Sequence, residues 1–220
     1  MTTPARLLLL IAAAAALADW YAVGGVTLHR RLEIIAKPAV MVALVGVALT
    51  LTPADLTVRA LFVLALSLSL VGDVALMLKR ERFVAGLVAF LLAHLAYIVG
   101  LGMVGLRSGS MPVAVIGLGV VGVVLGSIGR RVFGVVRADQ PRLLVPVVAY
   151  MGVISAMVVA AFATGQPLAM AGAALFYASD ATLAWNRFVE RRSWGRLAVI
   201  VGYHLGQALL VLSLAGTLVS

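Results

Sequence analysis

The chain has 220 residues, 64% hydrophobic and 11% charged, with a mean hydropathy of +1.16. A soluble domain carries about a quarter charged residues, so a soluble enzyme or nucleic-acid-binding domain is excluded despite the net charge of +9. The absence of cysteine removes disulfides, thiolate metal sites and cysteine nucleophiles together.

The apolar runs have the length of membrane-spanning helices, ~20 residues each, and the period-two alternation of a membrane barrel is absent. They predict an all-α membrane protein with eight transmembrane helices at about 6–26, 36–52, 57–78, 83–105, 111–129, 143–163, 167–186 and 195–218, in a single integral membrane domain over 1–220. Span one begins after Arg6. Its Ala16-Leu17-Ala18 has the look of a cleavable secretory signal, but apolarity continues through Val26 and favours a retained span. It holds one acid, Asp19, which suits either a counter-ion for Lys37 or a site residue. Span two opens with Ile35-Ala36-Lys37-Pro38, placing Lys37 at a helix start where an ammonium can meet a phosphate.

Span three carries Gly72-Asp73, and span four carries His94 and Tyr97. Span five contains Gly117-Leu118-Gly119-Val120-Val121-Gly122, a literal GxGxxG. A dinucleotide site needs that motif between a strand and a helix. Inside an apolar helix, together with the Gly122/Gly126 pair, it reads as a close helix-packing surface. Span six opens with Val145-Pro146-Val147-Val148. Span seven carries Tyr177, Asp180 and Asn186, and span eight carries Tyr203, His204 and Gln207.

The order Pro, Asp, His/Tyr recurs in the two halves, 1–110 and 111–220. This predicts a 4+4 internal repeat whose halves run parallel. Fourteen of the 17 Lys and Arg fall in the turns after spans one, three, five and seven, and only Arg6, Arg59 and Arg107 lie on the other side. By the positive-inside rule the basic turns face the cytoplasm and both termini lie outside. Asp73 is six residues before Lys79 and Asp180 seven before Arg187, so both lie ~9–10 Å below the basic edge at 1.5 Å per residue. The expected setting is a plasma membrane of bacterial type, with a site in the cytoplasmic half.

A carboxylate inside a spanning helix costs ~2.5–3.5 kcal/mol on insertion scales and marks a functional site by default. Asp73 and Asp180 at equivalent depths are the candidate catalytic pair, one donating a proton and one staying ionised. Lys37, His94, Tyr97, Tyr177, Asn186, Tyr203, His204 and Gln207 are candidate substrate-binding residues. His94, His204 and an aspartate also allow a metal site, but no metal-ligand spacing is present. No cofactor is called for, and no Gly-x-Ser-x-Gly elbow exists. Two other classes fit the same acids: a small proton-coupled transporter, and a non-catalytic lipid-binding membrane protein.

Ile35-Ala36-Lys37-Pro38, Gly72-Asp73-x-x-Leu76, Phe83-x-x-Gly86-x-x-x-Phe90-x-x-x-His94-x-x-Tyr97, Leu175-Phe176-x-x-Ser179-Asp180-x-x-Leu183 and Tyr203-His204-x-Gly206-Gln207 occur in this order. Together they resemble the YhhN-type lysoplasmalogenase family through nearly the whole chain. The resemblance implies a membrane hydrolase that cleaves the vinyl ether of lysoplasmalogens to a fatty aldehyde and a glycerophospho-alcohol. It carries the paired aspartates over to Asp73 and Asp180. The expected partners are a lysophospholipid substrate from the inner leaflet and the surrounding membrane lipids.

Overall fold

The computed structural model describes residues 2–25, 29–51, 55–78, 82–108 and 110–215. Among them are nine α-helices: α1 (Thr3–Gly24), α2 (Arg30–Thr50), α3 (Leu56–Met77), α4 (Phe83–Ser108), α5 (Ala114–Val124), α6 (Arg130–Asp139), α7 (Leu144–Ala163), α8 (Pro167–Phe188) and α9 (Gly195–Ser213). Their starts carry local signals. Thr2 caps α1 by accepting from the Ala5 amide, and Asp55 caps α3 by accepting from the Thr57 and Val58 amides. Proline stands in the first turn of α1 and α8.

Seven helical segments are long and apolar enough to cross a membrane. The helix outside that set, α8, has 22 residues, like α1 and α3. It is more polar because it carries Tyr177, Ser179, Asp180, Thr182, Asn186 and Arg187.

Three expectations need correction. Helix α2 begins at Arg30, so Lys37 and Pro38 lie inside the helix, not at its start. Span five does not stop at 129, because a π-helical turn at Leu125–Gly129 joins α5 to α6 and the helix continues to Asp139. Arg130, Arg131 and Arg137 are therefore on a helix. Val132 and Val136, four residues apart, are buried while those arginines are exposed, so an amphipathic face sustains helix where a charge count reads a loop. Finally, Gly119, Gly122 and Gly126 face open space; of the glycines in the GxGxxG run, only Gly117 meets a neighbour, at Phe162 and Val159 of α7. The 111–139 segment is the most peripheral, 6% buried along its most apolar stretch against 22–44% for the other six. Lys79 and Arg80 of the second basic turn, position 52 of span two and positions 216–218 of span eight lie outside the described residues.

The bundle is built from three intimate helix pairs, α1/α2, α3/α4 and α8/α9, with α7 joining α4 to α8 and α5 packed on α7. Helix α9 also touches α1 and α2 and so closes the bundle. The tightest crossing is between α8 and α9. A Cβ on Gly172 would lie 2.9 Å from the Gly206 carbonyl oxygen and the Leu210 amide nitrogen, and one on Gly206 would lie 2.9 Å from the Gly172 carbonyl oxygen. Backbone meets backbone there, so no side chain can move aside.

Overpacking a filled interior costs ~1–3 kcal/mol. Gly172→Ala and Gly206→Ala are each expected to lower the thermal unfolding midpoint in detergent. Gly122→Ala, where a Cβ meets nothing, leaves the midpoint unchanged or raises it slightly.

Candidate active site

The buried stripe of α3 runs Val58, Phe62, Ala65, Leu66, Ser69, Gly72 and Asp73; that of α8 runs Ala169, Gly172, Ala173, Phe176, Tyr177, Ser179 and Asp180. Each acid thus lies on a mainly apolar buried stripe at helical spacing, which is how it reaches the bundle interior. Gly72 keeps the space beside Asp73 narrow: a Cβ there would run into the Phe90 ring, 2.6 Å away.

The two carboxylates have unlike partners. Asp73 pairs with the Lys37 ammonium, Oδ1 to Nζ 2.8 Å, and its Oδ2 accepts from the Tyr203 hydroxyl at 2.7 Å. The Lys37 Nζ also lies 5.5 Å from the centre of the Tyr203 ring. Asp180 accepts from the Tyr150 hydroxyl through Oδ2. His94 stands edge-on to Tyr150, with ring centres 5.4 Å apart, and its Nδ1 donates to the Phe90 carbonyl.

Both acids line one cavity of about 100 Å³, with Lys37, Tyr150 and Tyr203 as its other polar side chains of note and Leu87, Phe90, Met151 and Leu183 among its apolar walls. Beside it lies a larger vestibule of about 620 Å³, lined by Arg30, Glu33, Asn186, Arg191, Arg192 and Arg196. Lys37, Phe83, Leu183 and Arg187 border both spaces. The Arg187 guanidinium carbon lies 3.9 Å from the centre of the Phe83 ring, which packs edge-on to Phe188. Glu33 is held between Arg30 at 3.1 Å and Arg196 at 3.0 Å. An apolar chamber with two acids therefore adjoins a basic mouth.

Of the candidate binding residues, Lys37 and Tyr203 line the cavity and Asn186 lines the vestibule, where its Oδ1 accepts from the Arg192 amide. His94, Tyr97, Tyr177, His204 and Gln207 do not line either space. Tyr97 donates to Gln207 at 2.6 Å, and the Gln207 amide donates to Ser69 at 3.1 Å, which ties α4, α9 and α3 together. Tyr177 pairs with Ser155 at 2.9 Å and ties α8 to α7. Their polar atoms are consumed between helices. Among the described residues, no three His, Asp or Glu side chains gather as a metal site would need.

Six residues of the site escape sequence reasoning: Tyr150, Arg30, Glu33, Arg191, Arg192 and Arg196. Tyr150 is the one most closely tied to an acid. Its only signal is a hydroxyl in an apolar span, and its partner is chosen by how α7 packs on α8.

The fold and the site define a polytopic helical membrane protein with two carboxylates in an apolar chamber behind a basic vestibule. Residues 32–214 match the YhhN family, and the chain belongs to that family. Lysoplasmalogenase TMEM86B of Homo sapiens is 31% identical over 149 residues, 68% of this chain and 61% of that protein. The Sus scrofa protein of the same name is 32% identical over 152 residues, 69% of this chain and 62% of its own length, and that of Mus musculus 34% over 149 residues, 68% and 61%. The matches thus span about three-fifths of these relatives. No solved structure matches significantly.

Breaking a buried ion pair on one side costs ~3–5 kcal/mol, because the remaining charge is stranded. Lys37→Met is expected to destabilise the protein strongly, and Lys37→Met/Asp73→Asn to recover most of the loss. Thermal unfolding of the two single variants and the double variant in detergent checks this non-additivity.

Proposed function

We propose that this protein is a membrane hydrolase acting on the vinyl ether of lysoplasmalogen-type lysophospholipids, releasing a fatty aldehyde and a glycerophospho-alcohol. The observation that carries the reading is the unlike pairing of two carboxylates in one apolar chamber beside a cationic mouth. Membership of the family and the names of the matched relatives supply the substrate class.

The lipid phosphate sits in the vestibule among Arg30, Arg191, Arg192 and Arg196, where charge-assisted hydrogen bonds recognise it. The ether oxygen and double bond reach past Phe83 to the acids, and the alkenyl chain lies on Leu87, Phe90 and Met151. Asp73 faces an ammonium and a phenol donor, the company of an ionised carboxylate. Asp180 has a single phenol donor in Tyr150, so it is the member that carries the proton.

Asp180 delivers that proton to the β-carbon of the vinyl ether. The double-bond electrons form the new C–H bond, and an oxygen lone pair supplies the C=O character of the oxocarbenium ion. The Asp73 carboxylate stabilises this cation and removes a proton from the attacking water, as paired carboxylates do in glycoside cleavage. The hemiacetal then collapses: its hydroxyl gives its proton to the Asp180 carboxylate, the C–O bond to glycerol breaks, and Asp73 passes the proton it took from water to the leaving oxygen. One water is consumed, and each acid returns to its starting state.

Positioned acid–base groups contribute ~10²–10⁴-fold in rate. Asp180→Asn and Asp73→Asn are each expected to lose at least a hundredfold in aldehyde release from 1-alkenyl lysophosphatidylethanolamine, read per mole of folded protein. A hydrogen bond from a cation to phosphate is worth ~1.5–3 kcal/mol, so Arg192→Gln is expected to raise KM about tenfold with kcat little changed. No aldehyde from the unaltered protein overturns the assigned activity, and full turnover in both aspartate variants overturns the mechanism.

The site's position in the cytoplasmic half is part of the same reading, and it rests on the distribution of Lys and Arg. Because the chain has no cysteine, single introduced cysteines report sidedness cleanly. In intact cells, Thr57→Cys is expected to react with a membrane-impermeant maleimide, and Ser193→Cys only after permeabilisation. The reverse pattern overturns this orientation.

A further inference from the structure

The vestibule holds more positive charge than one phosphate needs. Arg30 of α2, Arg191 and Arg192 between α8 and α9, and Arg196 of α9 line it, and Glu33 is the one acid on its wall among the described residues. Glu190 pairs with Arg192 at 2.8 Å from outside that lining. Four guanidiniums thus face two carboxylates, a surplus of two positive charges, with Lys37 already paired with Asp73 and Arg187 left out of the count. At about 620 Å³ the vestibule has several times the volume of the chamber of about 100 Å³, so it has room for whatever the phosphate carries.

Glu33 is poorly placed to receive an ammonium. It is 5% exposed, its Oε2 accepts from Arg30 at 3.1 Å, and its Oε1 accepts from Arg196 at 3.0 Å. Arg30 is anchored further on α3, where its Nη2 donates to the Met77 carbonyl. An ammonium that reached Glu33 would lie beside two guanidiniums held by that same carboxylate. A quaternary ammonium is recognised by aromatic faces. Phe83 is the one aromatic side chain on the vestibule wall among the described residues, and the Arg187 guanidinium carbon already lies 3.9 Å from its ring centre. The neutral polar side chains on that wall are Gln140 and Asn186, and side-chain amides can both donate to and accept from hydroxyls.

We propose that the vestibule selects lysophospholipids whose head is anionic and bears no amine, with phosphoglycerol as the type, against phosphoethanolamine and phosphocholine. That the ligand is a lysophospholipid rests on the hydrolase reading; the choice among heads rests on the vestibule's own charges. The phosphate offsets one of the two surplus charges whichever head it carries. An ammonium beyond it brings like charge against the guanidiniums and finds no acid clear of them. A glycerol brings hydroxyls instead, and leaves the whole phosphate charge to the arginines. Discrimination of this kind comes from repulsion of the wrong head as much as from attraction of the right one.

The test compares aldehyde release from 1-alkenyl lysophosphatidylglycerol, lysophosphatidylethanolamine and lysophosphatidylcholine of one chain length. All three are presented to the full chain in micelles of a neutral detergent, so that no charged surface concentrates one of them. The glycerol head is expected to give a kcat/KM at least tenfold above the other two, carried by KM, and the ratio shrinks as salt is raised. Arg191→Gln, at an exposed position, is expected to narrow the ratio at least twofold. Arg196→Gln, which also releases a Glu33 oxygen to an ammonium, narrows it further. Arg131→Gln, exposed on α6 and not on the vestibule wall, leaves it unchanged.

An equal or higher kcat/KM on the ethanolamine or choline head overturns the proposal and leaves the hydrolase reading standing. An equal change of the ratio in Arg131→Gln and Arg191→Gln also overturns it, because the preference then comes from the net charge of the protein and not from the vestibule. If Arg196→Gln does not fold, Arg191→Gln against Arg131→Gln decides alone. If no head yields aldehyde, the hydrolase reading falls, and selection is read from binding of the saturated 1-alkyl analogues by native mass spectrometry. Stronger retention of the glycerol analogue, weakened in Arg191→Gln, then supports the proposal, and equal retention of the three heads overturns it.

Discussion

The constraint on which the rest of the structure depends is that a charge inside the apolar layer must be met by another charge or a donor. Lys37 and Asp73, 2.8 Å apart on α2 and α3, are the central case. Tyr203 brings α9 to the same carboxylate, and His204, next along α9, brings α1 near. Four helices are thus placed relative to one another by a single buried ion pair and its neighbours. The Tyr97–Gln207–Ser69 chain and the Tyr177–Ser155 pair do the same between α3, α4, α9 and between α7, α8, without bordering the cavity. Tyr97, Gln207, Ser69, Tyr177 and Ser155 act as fasteners, whereas Lys37, Asp73, Tyr150, Asp180 and Tyr203 border the chamber.

The site has two zones, an apolar chamber and a basic vestibule. The chamber walls are leucine, phenylalanine and methionine, suited to an alkenyl chain and to charge effects undiluted by water. The vestibule is arginine-rich and holds one acid, Glu33, between two of its cations. Arg187 against Phe83 stands where the two meet. An amphiphile with a charged head and a single chain fits this division better than a wholly polar or wholly apolar solute.

Much of this was legible in the sequence. Asp73 and Asp180 stood out because an acid in an apolar run needs a reason, and both line one cavity. Lys37 was legible as a charge near a membrane edge; its pairing with Asp73 was not. Tyr150 was not legible: a phenol in an apolar span costs little, and nothing in its neighbourhood points to Asp180. The glycines of span five misled because glycine spacing records what a helix permits, while contact depends on what lies opposite. The crossing that does need glycine joins Gly172 to Gly206, distant in sequence and on different helices. The basic stretch after 129 misled for a related reason, since the Val132/Val136 stripe outweighs the loop-like charge count once there is a surface to bury it on.

The sequence by itself determined that the chain lives in a membrane, that its helices are apolar and about one bilayer long, and that two acids inside its apolar runs mark a candidate site. These follow from composition and local periodicity, which act residue by residue. Only the tertiary structure decided which donor each acid receives, that Arg30, Arg191, Arg192, Arg196 and Glu33 line the space beside them, and that α9 sets His204 3.8 Å from Asp19 of α1. Those are matters of which helix faces lie against each other, and a hydrogen bond a few ångströms long is fixed by that packing, not by distance along the chain.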